Sequence, residues 1–168
     1  METSYIWGAV LVGIGATLLM DLWAWIQRRV FKVASLDFCL VGRWLLHMPE
    51  GRFRHPHIAK AQRKPAECTA GWLAHYLIGI LFASVPVAAT AGQWLEQPSL
   101  TTAMWVGIGT IVFPMLIMQP AFGLGVAGAN TPDPARARLK SLSTHALFGL
   151  WLYLSALPVS WWLASMPQ

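Results

Sequence analysis

The side chains that could do chemistry are few, and they lie in or beside long apolar stretches. One stretch contains Asp21, a second His75, a third Gln119 and a fourth His145, while Glu67 stands just before the second. A carboxylate or imidazole is costly in hydrocarbon and is kept there when it is paired or in use. These five residues therefore predict a site that binds a ligand or carries protons.

Their positions along the stretches indicate a common depth. At 1.5 Å per residue, Asp21 lies about 10 Å from the basic end of its stretch, His75 about 12 Å and His145 about 7 Å. Gln119 lies near the same end of the third stretch. Glu67 and His75 are about 80° apart around a helix, so they could flank one groove. We expect a polar site that opens at this end.

Imidazole nitrogen and carboxylate oxygen are ligands for divalent metals, so the same residues also predict a metal site. The candidate ligands are His75, His145, Glu67 and Asp21. His55 and His57 add two imidazoles, but their spacing is not a recognised ligand motif, and we favour a structural or surface role for them.

A glycine-rich segment follows the third stretch. Gly123, Gly125 and Gly128 would let the backbone approach a ligand or another helix closely, and Asn130 adds a polar group. Close helix packing is the interpretation we favour. The spacing fits neither the P-loop nor the dinucleotide pattern, so no nucleotide site is predicted.

The composition indicates that lipid surrounds most of this chain. Of 168 residues, 56% are hydrophobic and 11% charged, whereas soluble domains carry about 25% charged residues. Four apolar stretches, at about 5–26, 68–91, 102–126 and 142–163, reach the ~20 residues that a spanning helix needs. Backbone amides in lipid must bond within their own helix. The sequence predicts a single membrane domain over 1–168, an all-α bundle of four transmembrane helices.

The cations predict the orientation. All twelve Lys and Arg lie between Arg28 and Lys64 or between Arg136 and Lys140. The positive-inside rule places the loops at about 27–67 and 127–141 in the cytoplasm and both termini outside. We expect a multi-pass protein of an inner (cell) membrane. Its partner is the lipid bilayer, and nucleic acid is not one, because these cations bracket apolar spans.

The first basic loop contains a further helix signal. Residues 35–48 are largely apolar but too short to span, so we expect an interfacial or re-entrant helix with Ser35 as its N-cap and His47 at the interface. The basic segment after it suits an anionic leaflet. Because a cytoplasmic loop keeps thiols reduced, we expect no disulfide between Cys39 and Cys68.

Two short patterns indicate an internal repeat. His75-x-Leu-x-Gly79 recurs as His145-x-Leu-x-Gly149, and the Val-Gly-Ile-Gly of residues 12–15 recurs at 106–109. The order is the same in both halves, which predicts two tandem helical hairpins related by an axis along the membrane normal.

Several of these motifs together resemble a known family. They are Met20-Asp21-Leu-Trp-Ala, Gly42-Arg43-Trp44, Gly51-Arg52-Phe53 with His55, Glu67 through His75-Tyr76, Gln119-Pro120-x-x-Gly123-x-Gly125, and Arg138-Leu139 through His145. Over nearly the whole chain the sequence resembles an uncharacterised bacterial inner-membrane family catalogued as a domain of unknown function. The resemblance implies a four-helix membrane protein and no established activity.

Three functions remain open at this point. The first is transport or ligand binding, with Asp21 and Glu67 supplying negative charge, His75 and His145 acting as ligands or proton carriers, and Gln119 orienting the bound species. Four helices enclose little space, so a path would form more naturally in a homo-oligomer. The second is a metal-dependent membrane enzyme acting on a lipid-like substrate. The third is a haem b protein with His75 and His145 as axial ligands.

Overall fold

Four long helices dominate the computed structural model, which describes residues 3–33 and 35–165. They are α1 (Thr3–Val30), α3 (Glu67–Ala89), a third span over Leu100–Ala121, and α7 (Pro134–Ala164). All four are long and apolar enough to cross a membrane. No strand occurs in the described residues. The predicted all-α fold with four candidate spans is confirmed, with helix ends that differ from the predicted ones by up to about two turns.

The loop between α1 and α3 contains the expected extra helix, α2 (Phe38–His47), followed by 3₁₀ turns at Met48–Glu50 and Ile58–Lys60. Ser35 was the wrong N-cap. Asp37 caps α2 instead, and its carboxylate accepts a hydrogen bond from the Cys39 amide at 2.9 Å. An Asp side chain reaches the second amide of a helix well, which explains the shift of the cap.

The third span is interrupted. It begins as α5 (Leu100–Gly109), turns at residues 110–111, and continues through a π-helical turn at Pro114–Met118 into the short α6 (Gln119–Ala121). Pro114 has no amide to donate, so it breaks the α-helical ladder. The Thr110 carbonyl accepts from the Phe113 amide at 3.2 Å instead. The short α4 (Gln93–Glu96) precedes this span.

The chain forms two compact units. The first comprises Met1–Ser35, Tyr76–Gly109 and His145–Gln168. Its core contains small apolar side chains such as Ala83 and Val12 together with larger ones such as Leu152, Phe148 and Trp94.

Glycines bring two helix pairs of this first unit close together. A Cβ on Gly13 would lie 2.8 Å from the Ile80 amide nitrogen, so α1 meets α3 backbone to backbone. A Cβ on Gly107 would lie 2.7 Å from the His145 carbonyl oxygen and would collide with Gly149, so α5 meets α7 in the same way. Such glycine contacts are typical of packed membrane helices.

The second unit comprises Leu36–His75 and Thr110–Thr144. Its small core contains Val41 and Ile58 together with Ala121 and Phe122 at the end of the third span. The predicted single domain over 1–168 stays a prediction.

Many large apolar side chains are exposed on the spans. Trp105 is 75% exposed, Leu77 64%, Leu81 61% and Leu116 58%. In water such a surface would drive association, whereas in a bilayer it contacts acyl chains of the same polarity. The exposed apolar spans therefore fit a multi-pass membrane protein.

Candidate functional site

Asp21 has a direct partner in the first unit. It lies in the second half of α1, half-buried, and Tyr76 on α3 donates its hydroxyl to the Asp21 carboxylate at 2.9 Å. One helical turn earlier, Thr17 is buried next to Gly79, and its hydroxyl donates a hydrogen bond to the Gly13 carbonyl at 2.7 Å. The pair therefore lies just beyond the close crossing of α1 and α3.

His145 lies on the other crossing in this unit. Its half-buried imidazole donates to the backbone carbonyl of Gly107 on α5. Gly107 also packs against the Gly149 backbone, so the side chain lies at this glycine contact between the two helices. The hydrogen bond to Gly107 gives the imidazole a structural partner inside the span.

Glu67 lies in the second unit, at the start of α3, and its carboxylate is bound by Arg43 of α2. Nε and Nη2 of Arg43 donate to its two oxygens at 2.8 and 2.7 Å. The other guanidinium nitrogen reaches three loop carbonyls between residues 58 and 61 at 3.1 to 3.3 Å. Hydrogen bonding to Glu67 raises the pKa of Arg43 above its ordinary value. A bidentate, buried pair of this kind fixes the loop onto α3.

The groove expected between Glu67 and His75 is filled by α2. The ring of His75 stacks on Phe38 with 3.9 Å between centroids, and a Cβ on Gly71 would collide with the Phe38 carbonyl. Glu67 and His75 both contact α2, and this helix occupies the space in which the spacing predicted a groove.

Gln119 lies in α6 at the end of the interrupted span and is 8% exposed. Its side-chain nitrogen donates to the Ser141 hydroxyl at 3.2 Å. Its side-chain oxygen is buried and has no hydrogen-bond partner in the described part of the chain. Such an atom costs free energy unless something donates to it.

The glycine segment forms a compact turn after α6. Gly123 has φ +86°, and a Cβ there would lie 2.9 Å from the His55 carbonyl oxygen, so only glycine fits both the backbone and the space. Gly125 packs against Asn130, whose side chain donates to the Gly123 carbonyl at 3.4 Å. These residues shape the backbone next to Gln119.

A second polar cluster lies in the first loop. His47, expected at the interface, is 1% exposed; its Nδ1 lies 3.2 Å from a Glu50 oxygen and its Nε2 3.0 Å from the Gln62 carbonyl. The Glu50 carboxylate and the Gln62 carbonyl are both hydrogen-bond acceptors, so they hold the ring from its two sides. Glu50 also pairs with Lys64, and both neighbours lower the pKa of its carboxyl.

His55 packs against this cluster, with 4.9 Å between its ring and that of His47. It is 9% exposed and therefore has a buried position, one of the two that the sequence left open, and its Nε2 has no hydrogen-bond partner among residues 3–33 and 35–165. Burial, followed by the positive charges of His47 and Arg52, lowers the pKa of His55. His57 is exposed.

Cys39 and Cys68 form a disulfide, so the expectation of free thiols was wrong for this structure. The redox compartment says nothing about how close two cysteines lie in the folded chain. Cys39 lies one turn before Gly42, and Cys68 one turn before Gly71, and these two glycines let α2 and α3 approach closely. The cysteines are therefore held within bonding distance by the packing around them.

The candidate metal ligands do not come together in the part of the chain that the structure describes. Within residues 3–33 and 35–165, no three His, Cys, Asp or Glu side chains are placed to hold a metal ion. Asp21, Glu67, His75 and His145 instead contact Tyr76, Arg43, Phe38 and Gly107 respectively.

Comparison with known proteins identifies a family for this chain. The family model described as "Protein of unknown function (DUF2938)" matches residues 10–159. The chain belongs to this family. No curated protein and no solved structure matches this chain. Membership confirms the resemblance seen in the motifs and assigns no activity to the family's residues.

Reasoning from the sequence missed all the partners of the candidate site residues, among them three polar side chains: Tyr76, Arg43 and Ser141. Tyr76 and Arg43 stand in the motifs that resemble the family, which was the available signal. Ser141 had none, because a serine in an apolar helix usually bonds its own backbone.

Proposed function

We propose that this protein binds a polar or ionic ligand within the membrane, and that it transports the ligand or protons with Asp21 as the central charged group. The observation that carries the proposal is the hydrogen bond from Tyr76 to Asp21 inside two apolar spans. An Asp at the centre of a membrane helix costs about 2.5–3.5 kcal/mol on insertion scales. A polar partner on a second span offsets part of that cost and keeps the carboxylate in a defined position.

The interrupted third span supports a binding role. Transporters commonly place their ligand sites where a membrane helix is broken, because freed backbone groups and helix ends line the site. π-Helical turns are also frequent at functional sites. Here Gln119 follows the π-helical turn directly and presents a buried side-chain oxygen that can accept from a ligand. We assign Gln119 to orient the bound species.

The remaining site residues take roles consistent with their contacts. His75 and His145 are the groups that would exchange protons or contact the ligand after moving from Phe38 and Gly107. Glu67 would act through Arg43, holding the loop against α3 and keeping the local charge balanced. Asp21 is the group that carries the transported charge.

The proposed orientation rests on the cations. Both basic loops lie on the cytoplasmic side of a bacterial inner membrane and both termini lie outside, since all twelve Lys and Arg fall in 28–64 and 136–140. Fusing a reporter active only in the periplasm to each terminus tests this orientation. Activity at neither end would contradict it.

A two-hairpin repeat is part of the proposal. The equivalent glycines of the two sequence patterns make equivalent contacts: Gly13 packs on Gly79 and Ile80, and Gly107 packs on Gly149. Each contact joins the first helix of one predicted hairpin to the second. A pair of such hairpins encloses little space, so we propose that a homo-oligomer forms the transport path.

The deciding experiment measures proton flux in liposomes. Purified protein is reconstituted with an internal pH-sensitive dye, and a potassium diffusion potential drives proton entry. We expect Asp21→Asn to abolish protein-dependent flux and Tyr76→Phe to give an intermediate rate, because it removes one donor and leaves the carboxylate.

Ser84→Ala is the matched control, since Ser84 lies in the same span as Tyr76 and bonds the Leu81 carbonyl of its own helix at 2.7 Å. Its flux should equal that of the unmodified protein. All variants are first checked by gel filtration and circular dichroism. Flux that is unchanged in folded Asp21→Asn removes the proposal.

A further inference from the structure

We propose that residues 51–63 of the first loop form a docking surface for anionic phospholipid headgroups, with the Phe53 ring inserted among the upper acyl chains. This surface is called the basic segment below. It is separate from the site around Asp21, and the proposal does not depend on the transport function.

The basic segment is fixed at the ends of membrane helices. The His55 amide donates to the Ala121 carbonyl at 2.8 Å and the Ile58 amide to the Phe122 carbonyl at 3.2 Å, where the third span ends. Arg43 holds the carbonyls of residues 58, 59 and 61 and binds Glu67, the first residue of α3. The segment therefore lies where spans leave the hydrocarbon, at the level of lipid headgroups.

Its charge is positive and exposed. Arg52, Arg54, Lys60 and Arg63 are all exposed, and no Asp or Glu occurs between residues 51 and 66. The acids on either side are already engaged, because Glu50 pairs with Lys64 and His47 while Glu67 pairs with Arg43. A cluster of four or more cations beside a membrane helix is typical of binding to anionic lipid.

Phe53 provides the apolar contact. It is 58% exposed and lies between Arg52 and Arg54. Its carbonyl accepts from the Trp44 indole at 2.9 Å, which anchors the backbone and leaves the ring facing outward. An aromatic ring flanked by arginines suits the interface, where the ring enters the apolar layer and each guanidinium stays with the phosphates.

The chemistry of the lipid follows from this arrangement. Several exposed cations with no nearby acid favour a headgroup with a net negative charge over a zwitterionic one. Each cation near an anionic surface contributes roughly fivefold to binding at moderate ionic strength. Phosphatidylglycerol should therefore be preferred over phosphatidylcholine, and the preference should weaken in high salt.

The test measures lipid selectivity of the full chain by electron paramagnetic resonance. The protein is reconstituted in phosphatidylcholine with trace spin-labelled phosphatidylglycerol or phosphatidylcholine, and the motionally restricted fraction gives the relative association constant. We expect phosphatidylglycerol to be preferred severalfold, and Arg52→Gln with Arg54→Gln to reduce that preference at least threefold. Phe53→Ala should reduce association of both lipids without changing their ratio.

The control is Arg28→Gln with Arg136→Gln, which removes two exposed cations outside the basic segment. It should keep most of the preference for phosphatidylglycerol. Arg52→Lys with Arg54→Lys should keep the preference too, because a lipid phosphate needs a positive charge at these positions and not the planar guanidinium group. An equal loss in the control variant, or an unchanged preference in the glutamine variant, overturns the proposal. Loss of the preference on adding 50 mM inorganic phosphate at constant ionic strength would identify a free-phosphate site and likewise overturn it.

Discussion

Arg43 and Glu67 lie 24 positions apart in the sequence and form a two-pronged ion pair, with side chains only 6% and 11% exposed. The pair ties the loop helix α2 to the first turn of α3. Because the same guanidinium also holds three loop carbonyls, one side chain organises the backbone of residues 58–61. Glu67, which the sequence suggested as a ligand, therefore has a positioning role in this structure.

The first prediction concerns this pair. Glu67→Ala leaves the Arg43 charge buried without its carboxylate, and breaking a buried pair in this way costs about 3–5 kcal/mol. Arg43→Ala should cost at least as much, because the loop carbonyls lose their donor too. The free energy of unfolding is measured in mild detergent for both single variants and the double variant. The loss in the double variant should be well below the sum of the two single losses. Strictly additive losses would mean that the two side chains do not interact.

The second prediction concerns the glycines at the α2–α3 crossing. A Cβ on Gly42 would collide with the Glu67 carbonyl and one on Gly71 with the Phe38 carbonyl, so neither neighbour can rotate away. Gly42→Ala and Gly71→Ala should each destabilise the fold by at least about 1–3 kcal/mol, the usual cost of overpacking.

Gly109→Ala is the matched control, because nothing lies within 4 Å of a Cβ there. Its unfolding free energy should stay within about 1 kcal/mol of the parent, since alanine favours helices over glycine. Thermal unfolding followed by circular dichroism would compare the three variants. Equal effects at all three positions would refute the close crossing.

The four spans could be predicted because lipid imposes a simple rule on local sequence. A stretch of about 20 apolar residues must be helical wherever it lies, so α1, α3 and α7 needed no knowledge of their neighbours. The helix ends could not be predicted by this rule, because polar residues such as Arg136 and Lys140 extend α7 beyond the apolar stretch. The interruption of the third span follows from Pro114, although its π-helical form does not.

The partners of the site residues could not be predicted, because helix periodicity says nothing about which helix packs on which. Glu67 and His75 were expected to flank a groove, and nothing in their spacing indicated that α2 fills the space between them. The same packing brings Cys39 to Cys68. An argument from charge and compartment could not foresee a contact that depends on two glycines far apart in the sequence.

The third prediction concerns the disulfide and the proposed orientation. Cys39 and Cys68 are bonded in the structure, whereas the proposed orientation places them in a reducing compartment. That orientation therefore predicts that the bond is reduced to two thiols in growing cells and forms when the protein is purified in air. Acid quenching of intact cells followed by thiol alkylation and mass spectrometry measures the two forms. A pair that is fully oxidised in quenched cells would place this loop outside and contradict the orientation.

The bond should also affect stability. It closes a segment of 29 residues, and a cross-link of that length stabilises a fold by roughly 3–4 kcal/mol in the chain-entropy description. The purified protein should therefore melt at a lower temperature after reduction. Cys39→Ser with Cys68→Ser is the control, and its melting temperature should not respond to reductant.

The fourth prediction follows from the buried ring of His55, whose pKa lies below its ordinary value because burial and the charges of His47 and Arg52 disfavour a proton there. As the pH falls below about 6.5, the ordinary imidazole value, the unfolded chain takes up a proton at His55 that the folded chain does not. The contribution of the neutral His55 ring to the free energy of unfolding is therefore fully present above that pH and is lost progressively below it. The melting temperature of the parent should fall from pH 7.5 to 5.5 more steeply than that of His55→Asn, so the gap between them should narrow. A gap that widens as the pH falls would show that folding favours the protonated ring.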